Sequence, residues 1–100
     1  MSDTSWVGAR SEIDRIDREI VGLLAARHRV VRGVAREKRA AGAPPFDGAR
    51  EAVLRAIWTR EAGAVELPIA SAIPVLDAIL LASREHVRAI YDGDRAEETD

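Results

Sequence analysis

The chain has no cysteine, so a disulfide framework, a zinc finger and a thiol nucleophile are all excluded. It also lacks a basic surplus. Lys and Arg number 15 against 17 Asp and Glu, a formal charge of −2 with a pI near 5.7; a general nucleic-acid binder needs the opposite balance. No apolar run approaches the ~18 residues of a membrane span. The opening MSDTSWVGARSEID has no apolar signal core. A cytoplasmic protein with no membrane and no nucleic-acid partner is expected. Aromatic residues make up only 4% of the chain, and His28 and His86 are its only histidines. There is no internal repeat and no low-complexity tract.

What is present favours helices. Apolar residues make up 47% and charged residues 32%, with Ala, Leu, Ile, Val, Arg and Glu dominant, as in a single all-α domain. From about Ser11 to Arg39, the residues Ile13, Ile16, Ile20, Leu23, Val30 and Val34 recur at helical spacing and share one face of a long helix. Ser11 is a candidate cap, with Asp14 in the first turn; a start near Trp6 is the alternative. Residues 1–8 are expected to fray. The basic Arg36, Lys38 and Arg39, then Gly42, Pro44 and Pro45, mark the helix end. Two residues on the stripe are out of place in a core. Arg27 stands where the pattern asks for leucine, and Lys38 lies eleven residues further on, about three turns and so near the same azimuth. A cation there is destabilising unless something pairs with it.

A helix of about 30 residues is about 45 Å long, whereas a compact domain of about 100 residues has a radius of gyration of about 13 Å. The rest of the chain is too short to cover such a helix on every side. Its apolar face is therefore expected to meet a second copy, giving an obligate homodimer. Asp47 is the candidate N-cap of a second helix over about 48–62, ended by Gly63, with Val53, Leu54, Ile57 and Trp58 as its buried side. Arg50 and Glu51 flank that stripe in the first turn; Glu51 suits the helix dipole there and Arg50 does not. A third helix carries Ile69, Ile73, Leu76, Leu80, Ser83, Val87 and Ile90 on one stripe. Pro74 requires either a start at Ser71, which leaves the proline in the tolerated first turn, or a start near Pro68 with a bend. The domain is expected to span residues 9–91, with the acidic, apolar-poor stretch 92–100 disordered. The fold expected is all-α, with long, short and medium helices.

The polar residues on or beside the buried stripes are Arg27, Lys38, Asp47, Arg50, Glu51 and Ser83. Arginine offers a planar fork that matches a carboxylate in two-point geometry, and lysine a point charge. Several inward cations point to a small ligand with more than one carboxylate; Asp47 and Glu51 would accept hydrogen bonds from its hydroxyl or ammonium. The plainer alternative pairs Arg27 with Glu51 and Lys38 with Asp47 as structural ion pairs. The convergence of all the cations favours a ligand. His28 adjoins Arg27 and is expected to be solvated or structural.

The segments IDRIDREIVGLLAARHRVVRGVAREK, FDGAREAVL and ILLASREHV resemble the all-helical (AroQ-type) chorismate mutase family. The similarity covers about residues 8–90, without a gap through the first two helices. It implies an intertwined helical homodimer with two active sites, each receiving one arginine, here Arg10, from the partner's first helix. It implies that Arg27 grips a substrate carboxylate and that Lys38 donates to the ether oxygen of the breaking bond. Asp47 and Glu51 would hold the ring hydroxyl, with Arg50 and Ser83 at the carboxylate end and Val34, Leu54 and Leu80 as apolar walls. The expected catalytic residues are Lys38, Arg27 and Glu51, with no cofactor and no metal.

Two positions depart from the family pattern. Val87 stands where the family carries a Gln or Glu that reaches the ether oxygen, and valine cannot donate a hydrogen bond. Phe46 makes the approach to Asp47 more apolar. The expected activity is rearrangement of chorismate to prephenate in aromatic amino-acid or related biosynthesis. Val87 leaves open a weak mutase, one activated by a partner enzyme, or a site for 4-amino-4-deoxychorismate or isochorismate. A shift of the third helix that brings Arg84 or His86 into the gap is a further alternative, as is a non-catalytic partner-binding dimer.

Overall fold

A computed structural model describes the backbone of residues 5–98 and the side chains of residues 6–93. It is all-α. Helix α1 runs Ser5–Ala40, α2 Gly48–Ala64 and α3 Ile69–Glu98. The chain divides into two units, Met1–Val30 and Val31–Asp100. No described helix is long and apolar enough to cross a membrane.

The first unit holds the N-terminal stretch of α1. The helix begins at Ser5, so Ser11 is an interior residue and not its cap; residues 1–4 of the segment expected to fray lie outside the described residues. Arg15 bridges Glu12 and Glu19, one turn away on either side, which supports the helix locally. The apolar stripe is open to solvent: Ile13, Ile16, Ile20, Leu23 and Leu24 are all exposed, Leu23 to 71%.

The second unit begins with the end of α1, which closes in a Schellman motif. Gly42 adopts φ 75°, its N–H bonds to the Arg39 carbonyl, and the Ala43 N–H bonds to the Lys38 carbonyl at 2.8 Å. Asp47 caps α2 as expected, its Oδ1 accepting from the Arg50 N–H at 3.1 Å. Helices α2 and α3 pack on each other and run antiparallel, since Glu51 pairs with Arg84 while the later Arg55 pairs with the earlier Asp77. Between them Leu76 is fully buried, with Leu80, Ala62 and Ala72 beside it in the core. Leu54, Ile57 and Trp58 are half-buried as expected, but Val53 and Ile69 are exposed. The residues of both stripes that are covered are those nearest the α2–α3 contact.

Two boundaries differ from expectation, the ends of α2 and α3. Gly63 does not end α2, which continues to Ala64. The left-handed residue is Glu66, φ 60°, and the Leu67 N–H reaches back to the Ala62 carbonyl at 2.8 Å, so a glutamate takes the position glycine usually fills. Helix α3 starts at Ile69, the expected alternative near Pro68, and carries Pro74 inside it, which leaves the Ala70 carbonyl without its helical donor. It also reaches Glu98, making the third helix 30 residues long rather than medium; Thr99 and Asp100 lie outside the described residues.

A Cβ in the left-handed region costs roughly 1–2 kcal/mol. Glu66→Gly should therefore raise stability by up to about 1 kcal/mol, part of the strain relief being offset by the freer unfolded chain. Thermal unfolding followed by circular dichroism should show a Tm higher by several degrees; an unchanged or lower Tm would mean that the turn is unstrained.

Candidate active site

The site residues fall in both units, and each group is described by itself. Arg10 and Arg27 belong to the first unit, on α1; Arg27 is half-buried and His28 beside it is exposed. Lys38, Asp47, Arg50, Glu51, Ser83 and Val87 belong to the second, with the wall residues Val34, Leu54 and Leu80.

In the second unit a corner forms where the end of α1, the start of α2 and the later part of α3 are tied together. The Tyr91 hydroxyl donates to the Ala43 carbonyl at 2.8 Å, and Arg39 Nε donates to the Tyr91 carbonyl at 3.4 Å. The guanidinium of Arg88 stands over the Phe46 ring, 5.5 Å from its centroid. Because Ala43 also holds the Lys38 carbonyl, the backbone of Lys38 is fixed at the same corner. Asp47 follows directly in the loop, and Glu51 lies one turn into α2.

Within the second unit, Glu51 pairs with a cation of α3. Arg84 reaches it from α3 in a two-point fork, Nε to Oε2 at 2.9 Å and Nη2 to Oε1 at 2.6 Å. Both side chains are partly buried. The hydrogen bonds from Arg84 hold the Glu51 carboxyl below the usual glutamate range, against the opposing effect of burial, and Glu51 in turn raises the Arg84 guanidinium. Asp47 is engaged by the α2 cap rather than by Lys38. Lys38 is half-buried, and among the described residues its ammonium makes no hydrogen bond or ion pair. The structural pairing of Lys38 with Asp47 is therefore not formed. A partly buried lysine without a counter-ion, in a corner rich in polar groups, is a ready anion site.

Along the chain, a family model described as chorismate mutase type II matches residues 9–88. The chain belongs to the chorismate mutase type II family. No curated protein and no solved structure matches it with significance. The matched span contains every candidate site position from Arg10 to Val87. Val34 is exposed, Leu54, Ser83 and Val87 are half-buried, and Leu80 lies in the α2–α3 core. Arg50 is exposed at the mouth of α2.

The far end of α2 carries an open apolar hollow of about 320 Å³, lined by Ile57, Trp58, Ala62, Val65 and Leu67. It contains none of the candidate site residues. The residue that sequence reading left outside the main set is Arg84. Its signal was weak: it sits beside the stripe rather than on it, and only the α2–α3 register reveals its partner.

The folded-state pKa of Glu51 is lowered, so its pairing stabilises the fold above the unfolded glutamate pKa of about 4.3. That contribution disappears as pH falls through the lower folded value. Glu51→Gln should lower the Tm modestly at pH 7, and the gap to the wild type should close below about pH 4. Parallel melting curves from pH 3 to 7 check this; a gap independent of pH would contradict the pairing.

Proposed function

We propose that the protein is a chorismate mutase that converts chorismate to prephenate, working as a homodimer. The observation that carries the reading is the family match over residues 9–88, which spans all the candidate site residues. Lys38, half-buried and without an ion pair among the described residues, supports it.

The reaction is unimolecular and needs neither a nucleophile nor an obligatory acid or base. Catalysis comes from holding the dianion in its compact reactive conformer. It also comes from cations placed where the ether oxygen gains charge in the transition state. In this reading Arg27 and Arg10 of the second copy clamp the carboxylates. Lys38 donates to the ether oxygen. Asp47 and Glu51 take the ring hydroxyl, with Arg50 and Ser83 supporting the carboxylate end. The exposed stripe of α1 supports the dimer, because Ile13, Ile16, Ile20 and Leu23 have no cover in a single chain.

Val87 favours a second reading, the same site acting on a close relative of chorismate such as 4-amino-4-deoxychorismate or isochorismate. With valine there, Lys38 is left as the donor to the ether oxygen.

Turnover of chorismate, 4-amino-4-deoxychorismate and isochorismate by the purified protein, with products identified by mass spectrometry, separates these readings. Prephenate should form from chorismate. Arg27→Ala should lower kcat/KM by about 10²–10³, and Val87→Gln should raise kcat, restoring a donor of a kind whose loss costs up to about 10²–10³. Faster turnover of the amino or iso compound would establish the second reading, and no turnover of any of the three would refute both.

A further inference from the structure

Arg84 has no part in the reaction as proposed, yet it makes the tightest cross-helix contact at the site. Its fork takes one hydrogen bond on each oxygen of Glu51. An ionised carboxylate has about four acceptor positions, so Glu51 keeps capacity for a further donor, but its charge is already balanced. Asp47 is balanced too, since its Oδ1 accepts the Arg50 N–H at the positive end of α2. The acidic side of the site therefore consists of acceptors whose charge is largely compensated.

Such acceptors treat two kinds of donor differently. A neutral hydroxyl loses only part of its hydrogen-bond strength when the carboxylate it meets already faces a guanidinium. An ammonium gains little attraction from a neutralised pair and is repelled by Arg84 itself. A bare Glu51 would also repel a substrate that carries two negative charges.

We propose that Arg84 is a positioning and specificity-determining residue, which aims and neutralises Glu51 so that the site takes a dianion presenting a hydroxyl in preference to one presenting an ammonium. This rests on the mutase reading, in which Glu51 meets that group of the substrate. The same fork keeps Glu51 ionised into acid solution, which gives the pair a signature in the pH dependence of turnover.

The test measures kcat/KM for chorismate and 4-amino-4-deoxychorismate across pH 4–8 with the wild type, Arg84→Gln and Arg84→Lys. The wild type should prefer the hydroxyl compound. Arg84→Gln should lower its kcat/KM about tenfold, chiefly through KM, and move the hydroxyl-to-amino ratio about tenfold or more toward the amino compound. Its acid limb should move to higher pH, and Arg84→Lys, which keeps the charge but not the fork, should lie between. Equal losses on both substrates with an unmoved acid limb would reduce Arg84 to a structural brace and overturn the proposal. A wild type that prefers the amino compound would overturn it as well. A wild type that turns over neither compound would instead remove the mutase reading, and the proposal with it.

Discussion

The exposed apolar stripe of α1 is the constraint on which the rest depends. Ile13, Ile16, Ile20, Leu23 and Val30 face solvent, and fully burying a side chain of this size is worth about 1.5–3 kcal/mol. The α2–α3 pair has a small core, centred on Leu76 and Leu80, of a size that rarely holds a domain alone. The proposed second copy supplies what the single chain lacks.

The second unit shows how a short sequence fixes a polar corner without long-range packing. Gly42 turns the chain off α1 and holds the Lys38 backbone. Tyr91 holds Ala43, Asp47 starts α2, and Arg84 closes the corner onto Glu51. Each tie is local or spans one helix contact, so the carboxylates are set in place by hydrogen bonds rather than by a deep core.

Much of this was legible in the sequence, for identifiable reasons. Helical spacing located all three helices, and the Asp47 cap and Gly42 turn carried their usual signals. The misses have physical causes. Gly63 was read as a stop because glycine usually supplies the left-handed residue, whereas Glu66 takes that conformation. Pro74 leaves two starts open, and of these α3 takes the one near Pro68, beginning at Ile69. The third helix was read as ending near Tyr91 for want of apolar residues, yet it reaches Glu98. The Glu51–Arg84 pair depends on the register of two helices, which no single-helix pattern encodes. The resemblance assigned the individual site positions, and the family match covers them.

The proposed shared site is tested most directly by mixing two inactive variants, Arg10→Ala and Lys38→Ala, after unfolding and refolding them together. In a mixed dimer one site regains both residues and the other loses both. Random re-pairing puts about half of the protein in mixed dimers, so about a quarter of the wild-type activity should return. Activity no higher than that of the separately refolded variants, with mixed dimers shown to be present by mass, would contradict a site built from two chains.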